Sequence, residues 1–127
     1  MPRKPIRTSN APAALGPYSQ GMSTGEWVFT SGQIPLTPAG DLISESPEAA
    51  ARQVLDNIAA ILRESGASMD DVIKVTLYLR DMSDFAAVNA VYADYFGDLP
   101  PARTCIEAAR LPKDAILEID AVARVIR

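Results

Sequence analysis

The residues best suited to chemistry lie in the last quarter of the chain. The stretch Pro100-Pro101-Ala102-Arg103-Thr104-Cys105-Ile106-Glu107-Ala108-Ala109-Arg110-Leu111-Pro112 carries an arginine, the one cysteine and a glutamate, and the run Ile116–Ile126 behind it carries Glu118. Guanidinium is planar, permanently charged and able to grip a carboxylate through two parallel hydrogen bonds. A carboxyl group on an apolar strand is disfavoured as an anion, so its pKa rises toward the range where it can take a proton and return it. Read as a hairpin, the two segments put Arg103, Cys105 and Glu118 on neighbouring strands, where an anionic substrate could meet a carboxylate. Glu107 competes with Glu118 for the carboxylate's role, because alternation puts it on the face of Arg103 and Cys105. Cys105 has no histidine to activate it, although Arg103 nearby could lower its pKa, and it is read as a pocket wall whose backbone groups matter more than its sulfur.

Composition narrows the chemistry further. The 127 residues fit one domain spanning 1–127, and 48% apolar with 22% charged residues is ordinary for a globular chain. There is no histidine, which removes Ser-His and Cys-His catalysis and histidine-based metal sites, and one cysteine cannot build a zinc or iron–sulfur site alone. A formal charge of −4 argues against general binding to nucleic-acid phosphates. No apolar run approaches the ~20 residues that span a bilayer. Met1-Pro2-Arg3-Lys4-Pro5 is not followed by an apolar signal segment, and a lone thiol makes the cytoplasm the expected compartment.

The elements that must position these residues follow from pattern. A short strand is expected around Ile6–Ser9, then a loop through Gly16-Pro17. A hairpin through Ser23-Thr24-Gly25 links strands near 18–23 and 26–31, with Tyr18 read as a packed aromatic or as a hydroxyl facing a pocket. Ser31 and Gly32 end it; Gly32 marks either a turn or a place where something approaches the backbone closely. Ser46-Pro47-Glu48 opens a helix whose apolar side is Val54, Leu55, Ile58, Ile61 and Leu62, stopping at Gly66. In the next strand Ile73, Val75, Leu77 and Leu79 share one face and Lys74, Thr76, Tyr78 and Arg80 the other. Ser83-Asp84 caps a second helix, on which Asn89 could reach back to a loop, and Gly97 with Pro100-Pro101 ends it. The turn Leu111-Asp114 is expected to make a hairpin of the last two strands, with Arg103, Cys105 and Glu118 on neighbouring strands.

The order is β-β-β-α-β-α-β-β: an α+β fold with a single mixed β-sheet and two helices packed on one face. The opposite face carries Lys74, Thr76, Tyr78, Ile116, Glu118, Asp120 and Val122. A half-apolar open face is a place for another subunit, so a homo-oligomer is expected.

Taken together, Gly16-Pro17-Tyr18-Ser19-Gln20, Ser31-Gly32-Gln33-Ile34-Pro35, Val88-Asn89-Ala90-Val91-Tyr92 and Pro101-Ala102-Arg103-Thr104-Cys105-Ile106-Glu107-Ala108-Ala109-Arg110-Leu111-Pro112 resemble the successive signatures of the Rid family, the YjgF-like reactive-intermediate deaminases. The match runs from about residue 8 to residue 124. The resemblance implies a chorismate-mutase-like fold and a homotrimer with active sites between subunits. It implies hydrolysis of 2-imino acids such as 2-iminopropanoate and 2-iminobutanoate, released by pyridoxal-phosphate enzymes, to 2-oxo acids and ammonia. No cofactor and no metal is implied. Carried over residue by residue, Arg103 would bind the substrate carboxylate, Glu118 would handle the water, and Tyr18, Ser31, Gly32, Asn89 and Cys105 would line the pocket.

Other classes stand beside this one. They are a non-catalytic holdase-like or ligand-binding trimer, a ribonuclease or translation inhibitor (disfavoured by the acidic balance), and a relative acting on an enamine or imine of pyrimidine or aromatic catabolism.

Overall fold

The computed structural model describes residues 1–127. Helix α1 (Pro47–Glu64) begins where Ser46 Oγ accepts a 3.1 Å hydrogen bond from the Ala49 N–H, with Pro47 and Glu48 in its first turn. It ends at Gly66, whose φ of +88° an L side chain would resist. Helix α2 (Phe85–Phe96) buries Val88, Val91, Tyr92 and Phe96. Both helices cover one face of a six-stranded sheet, and a cluster of 24 buried residues fills the layer between.

The strands are β1 (Arg3–Ile6), β2 (Gly21–Thr24), β3 (Trp27–Thr30), β4 (Val72–Leu79), β5 (Ala102–Glu107) and β6 (Leu117–Arg124), in the spatial order β1-β2-β3-β6-β4-β5. β4 and β5 run parallel because α2 is the crossover between them, while β6 pairs antiparallel with both β3 and β4. The last two strands are therefore not a hairpin. β6 enters the gap that the β3-α1-β4 crossover leaves, and β4 separates it from β5. A central strand gains two ladders of backbone hydrogen bonds where a hairpin at the edge would gain one.

Other expectations also move. The first strand lies at Arg3–Ile6, before the expected place, because Thr8–Pro12 is tied down by a side chain instead of a ladder. Buried Gln20 accepts from the Thr8 N–H through Oε1 and donates through Nε2 to the Thr8 and Pro12 carbonyls at 2.8–3.0 Å. In β4 a bulge between Val72 and Lys74 breaks the alternation, so Val72 joins Val75, Leu77 and Leu79 in the core and Ile73 turns outward, 45% exposed.

The sheet face away from the helices follows from register. Tyr78 lies opposite Glu118, Thr76 opposite Asp120, and Phe29 opposite Val122. Trp27, Phe29 and Ile106 are large apolar residues left partly exposed on that side.

Candidate active site

Glu118 leaves the open face of β6 beside the segment that follows β3. It shares a cleft of about 460 Å³ with Leu15, Tyr18, Ser31, Gly32, Ile34 and the Pro112-Lys113 turn. Ser31 is fixed there because its hydroxyl donates to the Ser19 carbonyl, and Tyr18 because its hydroxyl accepts from the Leu15 N–H at 3.2 Å. Tyr18 is 51% exposed, so it is the cleft-facing hydroxyl and not a packed aromatic. Gly32 is a close-approach glycine: a Cβ there would overlap the Glu118 carboxylate, and its backbone needs no positive φ. Burial first, and the charge of Asp120 second, push the Glu118 pKa above the ordinary glutamate value.

Arg103 leaves β5 toward the helices, since its register partner is the fully buried Val75. Its guanidinium stacks 4.8 Å from the ring centroid of Tyr92 and 5.3 Å from that of Phe85. Nη1 donates a 2.7 Å hydrogen bond to Asn89 Oδ1. Asn89 thus reaches the arginine of β5 rather than a loop. The side chain is in none of the ion pairs of the chain, which join Arg52 to Asp94, Arg110 to Asp114 and Arg124 to Glu26. A cation held rigidly from behind, with no acid partner, is prepared to receive one. Its cleft, about 490 Å³, is lined by Asn89, Tyr92, Phe96, Pro100 and Pro101 among others.

The clefts of Arg103 and Glu118 share no residue and open on opposite faces of the sheet. Within one chain, the arginine and the glutamate do not meet. Cys105 sits on the Arg103 face and lines neither cleft; burial raises its pKa, and this outweighs the lowering by Arg103. Glu107 is committed elsewhere, its Oε1 accepting a 2.7 Å hydrogen bond from the Met82 N–H. No group of three or more His, Cys, Asp or Glu side chains is placed to hold a metal ion.

Several lining residues were not among the sequence candidates. Tyr92, which lines the Arg103 cleft, and Phe85, which stacks on the guanidinium without lining the cleft, have the helical spacing of core residues, and nothing local shows that the edge of that core carries a guanidinium. Lys113 lies in a turn whose residues 113 and 114 both adopt positive φ, 56° and 55°, a conformation uncommon for residues other than glycine. That pair of residues was the available signal only once the backbone was known.

Residues 8–125 match the family described as Endoribonuclease L-PSP. The chain belongs to this family, that of the YjgF/Rid proteins. This Rid-family chain is 52% identical over 119 residues to a RutC family protein of Pyrococcus horikoshii, covering 93% of this chain and 94% of that one. It is 48% identical over 123 residues to a 2-iminobutanoate/2-iminopropanoate deaminase of Salmonella typhimurium, covering 94% and 96%. Its fold superposes with a TM-score of 0.92 on the crystal structure of Escherichia coli TdcF with bound serine, at 44% identity and 97% and 99% coverage. The Rid fold therefore accounts for the whole sheet and both helices, including the insertion of β6. No helix is long and apolar enough to cross a membrane.

Proposed function

We propose that the chain hydrolyses short 2-imino acids to 2-oxo acids and ammonia, in a site that Arg103 and Glu118 complete across two copies of a homotrimer. The observation that carries this reading is the pair of half-sites: an unpaired, preoriented guanidinium on one face and an unpaired, half-buried carboxyl on the other. The exposed Trp27, Phe29 and Ile106 supply the apolar surface through which a neighbour would pack. Curated relatives named 2-iminobutanoate/2-iminopropanoate deaminase at 47–48% identity support the reaction class.

The chemistry suits these groups. Arg103 binds the carboxylate of the substrate and aligns C2 of the C=N bond, a gain that is partly entropic. Glu118 takes a proton from water as the oxygen adds to C2 and the π electrons move to nitrogen. The same carboxyl returns that proton to the amine. The C–N bond then breaks as the hydroxyl passes its proton through Glu118 to the nitrogen, the C=O bond forms and ammonia leaves. Such acid–base assistance is worth roughly 10²–10⁴-fold. Tyr18, Ser31 and Gly32 wall the cleft around C2; Asn89 holds the arginine, and Cys105 packs beside it.

The substrate is unstable in water, so an enzyme that releases it, a pyridoxal-phosphate dehydratase of serine or threonine, would work in the same compartment, the cytoplasm. The test couples such a dehydratase to this protein and follows 2-oxo acid release. Acceleration over spontaneous hydrolysis is expected, with loss of at least about tenfold in kcat/KM for Arg103→Ala, since a charge-assisted hydrogen bond contributes about 1.5–3 kcal/mol. No acceleration sinks the reading. A panel of imines generated by amino-acid oxidases separates this substrate class from larger enamines, a distinction made pertinent by relatives bearing the RutC name.

A further inference from the structure

The open face of β6 carries a second carboxylate that the proposed reaction does not use. Asp120 follows Glu118 by two residues, so both side chains leave the same face of the strand. Across β4, Tyr78 is the register partner of Glu118 and Thr76 that of Asp120. Tyr78 Oη donates a 3.1 Å hydrogen bond to Asp120 Oδ2 and so spans the diagonal of the ladder. Lys74 is the next cation on that face, and its Nζ donates instead to Thr104 Oγ1 at 2.7 Å. Neither acid is in an ion pair. Two carboxylates thus share a half-buried surface, and the Tyr78 hydroxyl serves Asp120.

We propose that Asp120 is a positioning residue for Glu118, with Tyr78 holding the Asp120 carboxylate beside it. The inference rests on the deaminase reading of Glu118. The hydrogen bond from Tyr78 fixes the Asp120 carboxylate on the face that Glu118 shares. The resulting fixed charge makes ionising Glu118 harder, in the same direction as its burial. Within one chain the other titratable groups that face Glu118 are Tyr78 on β4, Tyr18 from the preceding loop and the exposed Lys113 from the turn; in the proposed trimer Arg103 of a neighbouring copy joins them and opposes the effect of Asp120. Burial first and the Asp120 charge second therefore favour the protonated form of Glu118. A carboxyl that must take a proton from water and hand it to a leaving amine is helped by a pKa raised in this way.

The test is a ¹³C-carboxyl NMR titration of the wild type, Asp120→Asn, Asp120→Glu and Tyr78→Phe, with the Glu118 signal assigned by its loss in Glu118→Gln. The pH profile of kcat/KM for imine hydrolysis is measured alongside. Asp120→Asn should move the Glu118 midpoint to lower pH, carry the acid limb of the profile with it, and lower the plateau about threefold to tenfold as the base weakens. Asp120→Glu, which keeps the charge, should restore most of the midpoint. Tyr78→Phe, which releases the Asp120 side chain, should move the Glu118 midpoint part of the way in the same direction as Asp120→Asn. An unchanged Glu118 midpoint in Asp120→Asn overturns the inference even if that variant is slow. If Asp120→Asn does not fold, an unchanged Glu118 midpoint in Tyr78→Phe overturns it instead. A midpoint that falls as expected, with no imine hydrolysis even by the wild type, sinks the deaminase reading and leaves the coupling of the two acids standing.

Discussion

A Cβ built on Gly32 would overlap Oε2 of Glu118 and lie 2.9 Å from its Cδ. The glycine is there to make room for the carboxyl, and the atom it would displace is the far end of a side chain that can swing away. Gly32→Ala should therefore cost little stability and much activity. We expect kcat/KM to fall by more than about tenfold, because misplacing a reacting group by an ångström removes most of the benefit of positioning. Thermal unfolding should change by no more than a few degrees. A variant that unfolds early while its folded fraction keeps full activity would show that Gly32 serves the backbone and not Glu118.

Arg103 and Glu118 occupy separate clefts on opposite faces of the sheet, and this gives a test of the composite site. Arg103→Ala and Glu118→Gln should each be inactive alone. Refolded together at equal amounts, they should recover about one quarter of wild-type activity, since random assembly pairs an intact arginine with an intact glutamate at that frequency. A mixture as inactive as its components would place the whole site within one chain.

The raised pKa of Glu118 has a consequence for stability. The folded chain holds this proton more tightly than the unfolded chain does. The associated stability is present below the ordinary glutamate pKa of about 4.3 and is lost as pH rises through the raised folded value. Glu118→Gln removes the ionisation, so it should be more resistant to urea than the wild type at pH 7, with the advantage vanishing near pH 4. A variant less stable at neutral pH would mean that the carboxylate makes stabilising contacts.

Asn57 is fully buried on α1 and ties the cleft wall to the helix. Its Nδ2 donates to the Leu36 carbonyl at 2.9 Å, and its Oδ1 accepts from Gln53 Nε2 at 2.9 Å. Asn57→Leu strands the Leu36 carbonyl without a donor and should cost about 1–3 kcal/mol in chemical denaturation. Amide exchange across Gln33–Leu36 should accelerate more than exchange in β4. Uniform acceleration through the sheet would contradict a local role.

Much of the chain was legible from its own residues. The cap at Ser46, the spacing Val54-Leu55-Ile58-Ile61-Leu62 and the stop at Gly66 define α1 because capping and amphipathic burial are local properties. The element order was equally readable, as were Tyr18, Ser31, Gly32 and Glu118 of one cleft and Asn89 and Arg103 of the other, and the motifs around Arg103 resemble those of the Rid family. Strand pairing was not readable. A turn at Leu111-Asp114 predicts a hairpin for any local reading, whereas the gap between β3 and β4 exists only after α1 has crossed over. That non-local choice put β4 between Arg103 and Glu118 and, because alternate residues of a strand face opposite ways, sent the two side chains to opposite faces. Residue types follow from sequence, but which of them share a space depends on contacts between distant segments, and those the tertiary structure alone decided.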